Sequence, residues 1–129
     1  MANLVQAEAN ALLAASSGQT AYPAVTAPIK VALVTIIGTA TAPGTEVTPG
    51  ANAYARQTIT FAAASGGSIT SNLLMTWTNM PPVTVVGVDE WDSAGTPVRR
   101  WFGLLSASKA VNAGDTFSIA SGSYTKTLS

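Results

Sequence analysis

From residue 29 onward the chain reads in the vocabulary of strands, with Val, Ile, Thr, Phe and Trp punctuated by Gly, Pro and Asn. Ile29 to Ile37 carries β-branched residues on both faces and predicts a buried strand. Tyr54 to Ala63 alternates, with Ile59 and Phe61 inward and Thr58 and Thr60 outward. After the turn at Ser65-Gly66-Gly67, the stretch Ile69 to Asn79 places Leu73, Met75 and Trp77 on one face. Pro81-Pro82 precedes a strand from Val83 to Trp91, and the turn residues Asp92 to Thr96 lead into Val98 to Leu105. Lys109 to Val111, Thr116 to Ala120 and Tyr124 to Leu128 follow, separated by Asn112-Ala113-Gly114-Asp115 and by Gly122. About eight short strands at such spacing predict a mainly β fold, an antiparallel β-sandwich or jelly-roll-like domain.

The pattern before residue 29 is different. Asn3 to Gly18 reads as the one helix, with Asn3 as cap, Gln6 three residues later as in a capping box, and Gly18 as terminator. Leu4, Ala11 and Ala15 share a face, but so short and weakly apolar a helix needs a partner. Gln19 to Pro28 links it to the strands. The expected organisation is therefore a helical, proline-containing arm over 1–28 and a β domain over 29–129. Thr39 to Ala53, with Pro43-Gly44 and Pro49-Gly50, predicts a long loop.

Charge sharpens this picture. The 129 residues include six basic and six acidic side chains, 9 % in all, against about 25 % in an ordinary soluble domain. A zero balance gives no footprint for nucleic acid or an anionic membrane. A surface poor in charge is easily desolvated and suits extensive protein contacts, so a homo-oligomer is expected. The apolar run Val31 to Gly38 is far shorter than the roughly 20 residues a spanning helix needs. The alanine-rich N-terminus has no preceding Lys or Arg and contains Glu8, so a secretory signal is not expected.

The chain has no histidine and no cysteine. A Ser-His-Asp triad, a Cys-His dyad and a Cys/His zinc site are thereby excluded, and the glycines sit in turns rather than in a phosphate-binding loop. No cofactor, metal or catalytic residue is expected. One cluster could still carry chemistry: Asp89, Glu90 and Asp92 around Trp91, with Arg99 and Arg100 close by. Two carboxylates beside a tryptophan suit a glycosidase pair or a calcium site. Against this, a hairpin looped at Ser93 to Thr96 pairs Glu90 with Arg99, Asp89 with Arg100, Val88 with Trp101 and Trp91 with Val98. Opposite charges across such a pair contribute roughly 0.2–1 kcal/mol each. Adjacent strand residues also point to opposite faces, so Asp89 and Glu90 do not grip one bond together. The structural reading is the stronger. Trp77, Trp91, Trp101 and Phe102 could stack on sugars, but core or interface packing is the commoner role of strand aromatics.

Several stretches resemble a known family: Lys30-Val31-Ala32-Leu33, Gly44-Thr45-Glu46-Val47-Thr48, Tyr54 to Phe61, Thr76 to Pro81, Val86 to Pro97, and Asn112 to Ile119. Trp91-Asp92-Ser93-Ala94-Gly95-Thr96-Pro97 is the most specific of them. The family comprises small β structural proteins of tailed actinobacterial phages, commonly described as tail fibre, minor structural or capsid decoration proteins. The resemblance implies a virion location and no catalytic residues. Coiled-coil heptads, collagen triplets and β-helical repeats, which give a fibre its length, are missing from the pattern. The expectation is therefore a capsid decoration protein partnered by the major capsid protein or other virion proteins, with a trimer guessed from the threefold sites that an icosahedral shell offers. A minor tail or tail fibre protein, or a receptor- or carbohydrate-binding module, is the alternative.

Overall fold

Val83 to Trp91 and Arg99 to Val111 form the long hairpin on which the rest is assembled. The computed structural model describes residues 2–128 and contains, among them, ten strands and one helix. In chain order these are β1 (Asn3–Leu4), α1 (Gln6–Ser16), β2 (Ile29–Ile36), β3 (Thr45–Glu46), β4 (Gln57–Ile59), β5 (Ser68–Thr70), β6 (Met75–Trp77), β7 (Val83–Trp91), β8 (Arg99–Val111), β9 (Phe117–Ile119) and β10 (Thr125–Thr127). The fold is mainly β with every strand pairing antiparallel, as the alternation predicts.

One six-stranded sheet runs β1-β8-β7-β2-β3, with β4 sharing the outer edge of β2. Two two-stranded ribbons, β5–β10 and β6–β9, complete the fold. The core lies between sheet and ribbons: Val31, Leu33, Val85 and Val88 from the sheet meet Met75, Trp77, Phe117 and Tyr124. Period-two alternation puts Val31 and Leu33 on that face, while Ala32 and Val34, also fully buried, point to the other. This second face is closed by the loop between β2 and β3. A Cβ on Gly87 would stand 2.8 Å from the Ile37 side chain, which marks how closely that loop lies on the sheet.

The long loop expected over Thr39 to Ala53 is interrupted by β3, and Ile69 to Asn79 is two strands, β5 and β6, rather than one. Met75 and Trp77 are buried at 1 % exposure each, whereas Leu73 is 39 % exposed. The break follows from pairing: β5 joins β10 and β6 joins β9, so the chain changes partner between them.

The helix starts later than expected. Asn3 does not cap it, because Asn3 and Leu4 pair with Phe102 and Trp101 and so satisfy backbone groups on the edge of β8. Val5 precedes the helix without a side-chain cap, and Gly18, at φ +73°, follows its end. The arm is thus anchored at its root: Val5 N–H donates to Arg100 O and Gln6 N–H to Ala40 O.

Candidate functional site

The charged cluster of the β7–β8 hairpin is brought together by the structure, but in a register other than the expected one. Val88 faces Gly103, Asp89 faces Phe102 and Glu90 faces Trp101, two residues on from the predicted pairing. Trp91 faces Arg99, not Val98, and Arg100 is the extra residue of a bulge between these pairs. The cause lies in the turn. Proline has no N–H, so Pro97 cannot close the loop and the next available amide is that of Val98. Asp92 takes that amide with its Oδ1 at 2.8 Å, accepts Ala94 N–H at 3.3 Å, and donates its own N–H to Val98 O at 3.0 Å. Asp92, not Trp91, is therefore opposite Val98. Pro97 was the signal in the sequence.

The bulge changes the ion pairs as well. Arg99 pairs with Asp89 at 3.1 Å and donates to Thr39 O, while Gly44 N–H donates to the other Asp89 oxygen at 2.8 Å. Arg100 reaches Asp92 and Glu8, each at 2.8 Å. The expected Glu90–Arg99 and Asp89–Arg100 pairs do not form. Burial works to raise the Asp92 pKa, but the Val98 amide, Arg100 and the Ala94 amide outweigh it and hold the carboxyl below its ordinary value.

Glu90 points to the core face, away from Asp89, as adjacent strand residues must. There it accepts from Lys126 Nζ at 2.8 Å and from the Tyr124 hydroxyl at 3.0 Å. The Lys126 ammonium also lies 4.1 Å from the Phe61 ring centroid and 5.1 Å from that of Trp101. Burial, then the Glu90 charge, raises the Tyr124 pKa well above that of a free phenol. Sequence reasoning missed Lys126 because β10 reaches the sheet only through the tertiary fold. A fourth network sits at the edge of β2, where Arg56 pairs with Glu46 at 2.8 Å and lies 4.4 Å from the Trp91 ring. Tyr54 donates to Glu46 at 3.0 Å and accepts Leu33 N–H at 2.9 Å.

This arrangement has consequences for chemistry. Asp89 and Asp92 hold different arginines instead of converging on one cation position. Asp89, Glu90 and Asp92 are 2–3 % exposed, and each is engaged by a cation. The aromatics are likewise occupied: Trp77 is in the core, 5.7 Å from Phe117, and Arg99 lies 5.2 Å from the Phe102 ring. Trp91 and Trp101 are half-buried beneath Arg56 and Lys126. A groove of about 300 Å³ runs between β8 and the ribbons; Leu104, Leu105, Ser106, Lys109, Ile119 and Thr125 are among its lining residues.

The five ion pairs use Glu8, Glu46, Arg56, Asp89, Glu90, Asp92, Arg99, Arg100 and Lys126. Among the described residues Lys109 and Asp115 are the charged side chains that stand exposed, with Lys30 half-buried and outside the five ion pairs. A sequence already poor in charge thus places most of it inside or in ion pairs, and few unpaired charges reach the surface.

The fold and its internal ion pairs define a small antiparallel β domain with a nearly uncharged exterior. The sequence matches the model of the family described as "Podophage GP4 fiber I protein gp80" over residues 3–127, almost the whole chain. The chain belongs to this family of phage fibre proteins. No curated protein matches it.

Proposed function

We propose that this chain is a non-enzymatic, globular component of a tail fibre, which associates with copies of itself and with neighbouring virion proteins. The observation that carries the reading is the match to a fibre family across residues 3–127. It favours the tail over the capsid surface, although the lack of repeats in the sequence pointed the other way. The two facts are compatible, because a compact domain can contribute to an extended structure by stacking copies end to end, with no repeat inside each chain. The internal use of charge supports the same reading. A free monomer keeps a charged coat for solubility, whereas a near-neutral surface is readily desolvated against another protein.

Disrupted virions separated into heads and tails provide the test, with each fraction probed by an antibody to this chain. Recovery with the tails, in low copy number, is the expected result. Recovery with the heads, in numbers comparable to the capsid subunits, would return the protein to capsid decoration.

A further inference from the structure

The connection from α1 to β2 is long for a compact domain. The helix ends at Ser16 and the strand begins at Ile29, which leaves the twelve residues 17–28, exposed throughout. Connections in such domains have a median of about 4–6 residues. The far end is fixed beside the β7–β8 turn, where Thr26 O accepts Ser93 N–H and Pro28 O accepts the Ser93 hydroxyl. The near end only closes the helix, since the amides of Ser17, Gly18, Gln19 and Thr20 donate to the carbonyls of Leu13, Ala14 and Ala15. Between them, Ala21 to Val25 make no backbone hydrogen bond among the described residues. The arm itself holds specific partners. Asn3 and Leu4 add to the edge of β8 at Phe102 and Trp101, Val5 N–H donates to Arg100 O, and Gln6 N–H donates to Ala40 O. Ala2 bridges Lys126, and both Ala2 and Val5 are buried. Glu8 is buried against Arg100, whose other terminal nitrogen is held by Asp92.

We infer that the arm is exchanged between copies: β1 and α1 of one chain seat on β8 of the next, linking copies head to tail. This deepens the fibre reading, and rests on it for the choice of a second copy as neighbour. None of the arm's bonds to the body involves residues 17–25, so the socket of one copy takes the arm of another by the same contacts. Extended, those nine residues reach about 30 Å, close to the diameter of a small domain. The helix is short and weakly apolar, so it is stable only when docked. A socket left empty would strip Arg100 of one carboxylate and leave β8 unpaired along its outer edge. Each copy therefore offers one arm and requires one. Exchange replaces one set of contacts by an identical set, and its cost is the association of the copies, offset by contact between their weakly charged surfaces. A head-to-tail exchange that does not close on itself builds an open chain. Length then comes from the exchange, with no repeat inside the sequence.

The test uses the full chain, which has no cysteine of its own. Asn3→Cys with Phe102→Cys places two thiols directly across the β1–β8 pair, at a separation that a disulfide accepts. The double variant is refolded at high concentration, oxidised, and run under denaturing conditions without reductant. Exchange gives a ladder of bands at steps of 13.0 kDa that collapses on reduction. A band at the monomer mass alone means that each arm seats on its own body, and overturns the proposal. A second measurement does not depend on the double variant folding. The Asn3→Cys chain, lengthened by a tag, is refolded together with the Phe102→Cys chain and oxidised. Only an arm seated on another copy brings these two thiols together, so the mixed dimer should far exceed both like-with-like dimers. A mixed dimer that is missing, or present only in the proportion of random pairing, overturns the proposal. The fibre reading fails separately, by recovery of the chain with heads, and that result leaves the ladder unchanged.

Discussion

The carboxylate of Glu90 and the ammonium of Lys126 meet at 2.8 Å, with the Glu90 side chain 2 % and the Lys126 side chain 11 % exposed. The pair joins β7, in the middle of the sheet, to β10, the last strand. Removing one member of a buried pair leaves the other charge without compensation, at a cost of about 3–5 kcal/mol, whereas replacing both with apolar groups is often neutral. Lys126→Met should therefore lower the denaturant midpoint strongly, and Lys126→Met with Glu90→Gln, which removes the second charge but keeps an acceptor for the Tyr124 hydroxyl, should recover much of the loss. Chemical denaturation of the single and double variants measures the coupling. Additive losses would mean that the two groups do not depend on each other.

Two of the three tyrosines are held neutral by their surroundings. Burial and Glu46 raise the Tyr54 pKa, and burial and Glu90 raise that of Tyr124. An acid whose pKa is raised by folding contributes stability that is complete below its unfolded value, about 10, and is lost as pH rises through the folded one. Alkali should therefore unfold the protein, and the 295 nm phenolate signal of two tyrosines should appear with the loss of circular dichroism. A full three-tyrosine signal from a still-folded chain would contradict the burial of these rings.

How far the sequence can be read depends on whether the determining interaction is local. The strands β2, β7 and β9 were legible because runs of β-branched and aromatic residues in Ile29 to Ile37, Val83 to Trp91 and Thr116 to Ala120 are bounded by Pro, Gly and Asn turn residues. The role of Asp92 was accessible in principle, since Pro97 cannot supply the amide that closes the turn. The partners of Glu90 were not, because Lys126 is 36 residues away in the chain and nothing local to either residue encodes their meeting. The same holds for Glu8 and Arg100, 92 residues apart. Their pairing depends on β1 adding to the edge of β8. In the sequence, Asn3 fits a helix cap equally well.

At Gly87 the sheet and its covering loop are in close contact. A Cβ there would lie 2.5 Å from the Gly103 carbonyl oxygen and 2.8 Å from Ile37 Cδ1. The first neighbour is backbone of the paired strand and cannot give way without disturbing the β7–β8 ladder. Gly87→Ala should destabilise by about 1–3 kcal/mol, the usual range for overpacking, with a lowered thermal midpoint. Adding Ile37→Ala should relieve only the side-chain contact. Full rescue by that second change would locate the crowding in the loop instead of the ladder.

Asp92 should give the domain an acid-sensitive hairpin. Its carboxyl is held below the ordinary value, near 3.9, by the Val98 amide, Arg100 and the Ala94 amide acting against burial. A depressed acid binds fewer protons folded than unfolded, so its contribution is complete at neutral pH. It begins to be lost as pH falls through about 4 and is gone below the folded value. Asp92→Asn keeps an oxygen for the Val98 amide but removes the charge facing Arg100, which retains Glu8. The variant should be less stable than wild type by about 1–3 kcal/mol at pH 7, the range for a charged hydrogen-bond partner. That difference should shrink steadily as the pH is lowered below about 4. Because the other carboxylates are common to both proteins, the difference between the two stability curves isolates Asp92. Parallel curves down to the lowest pH at which both still fold would show that the Asp92 charge does not hold the turn. The Val98 register would then rest on the shape of the loop and the missing amide of Pro97 alone.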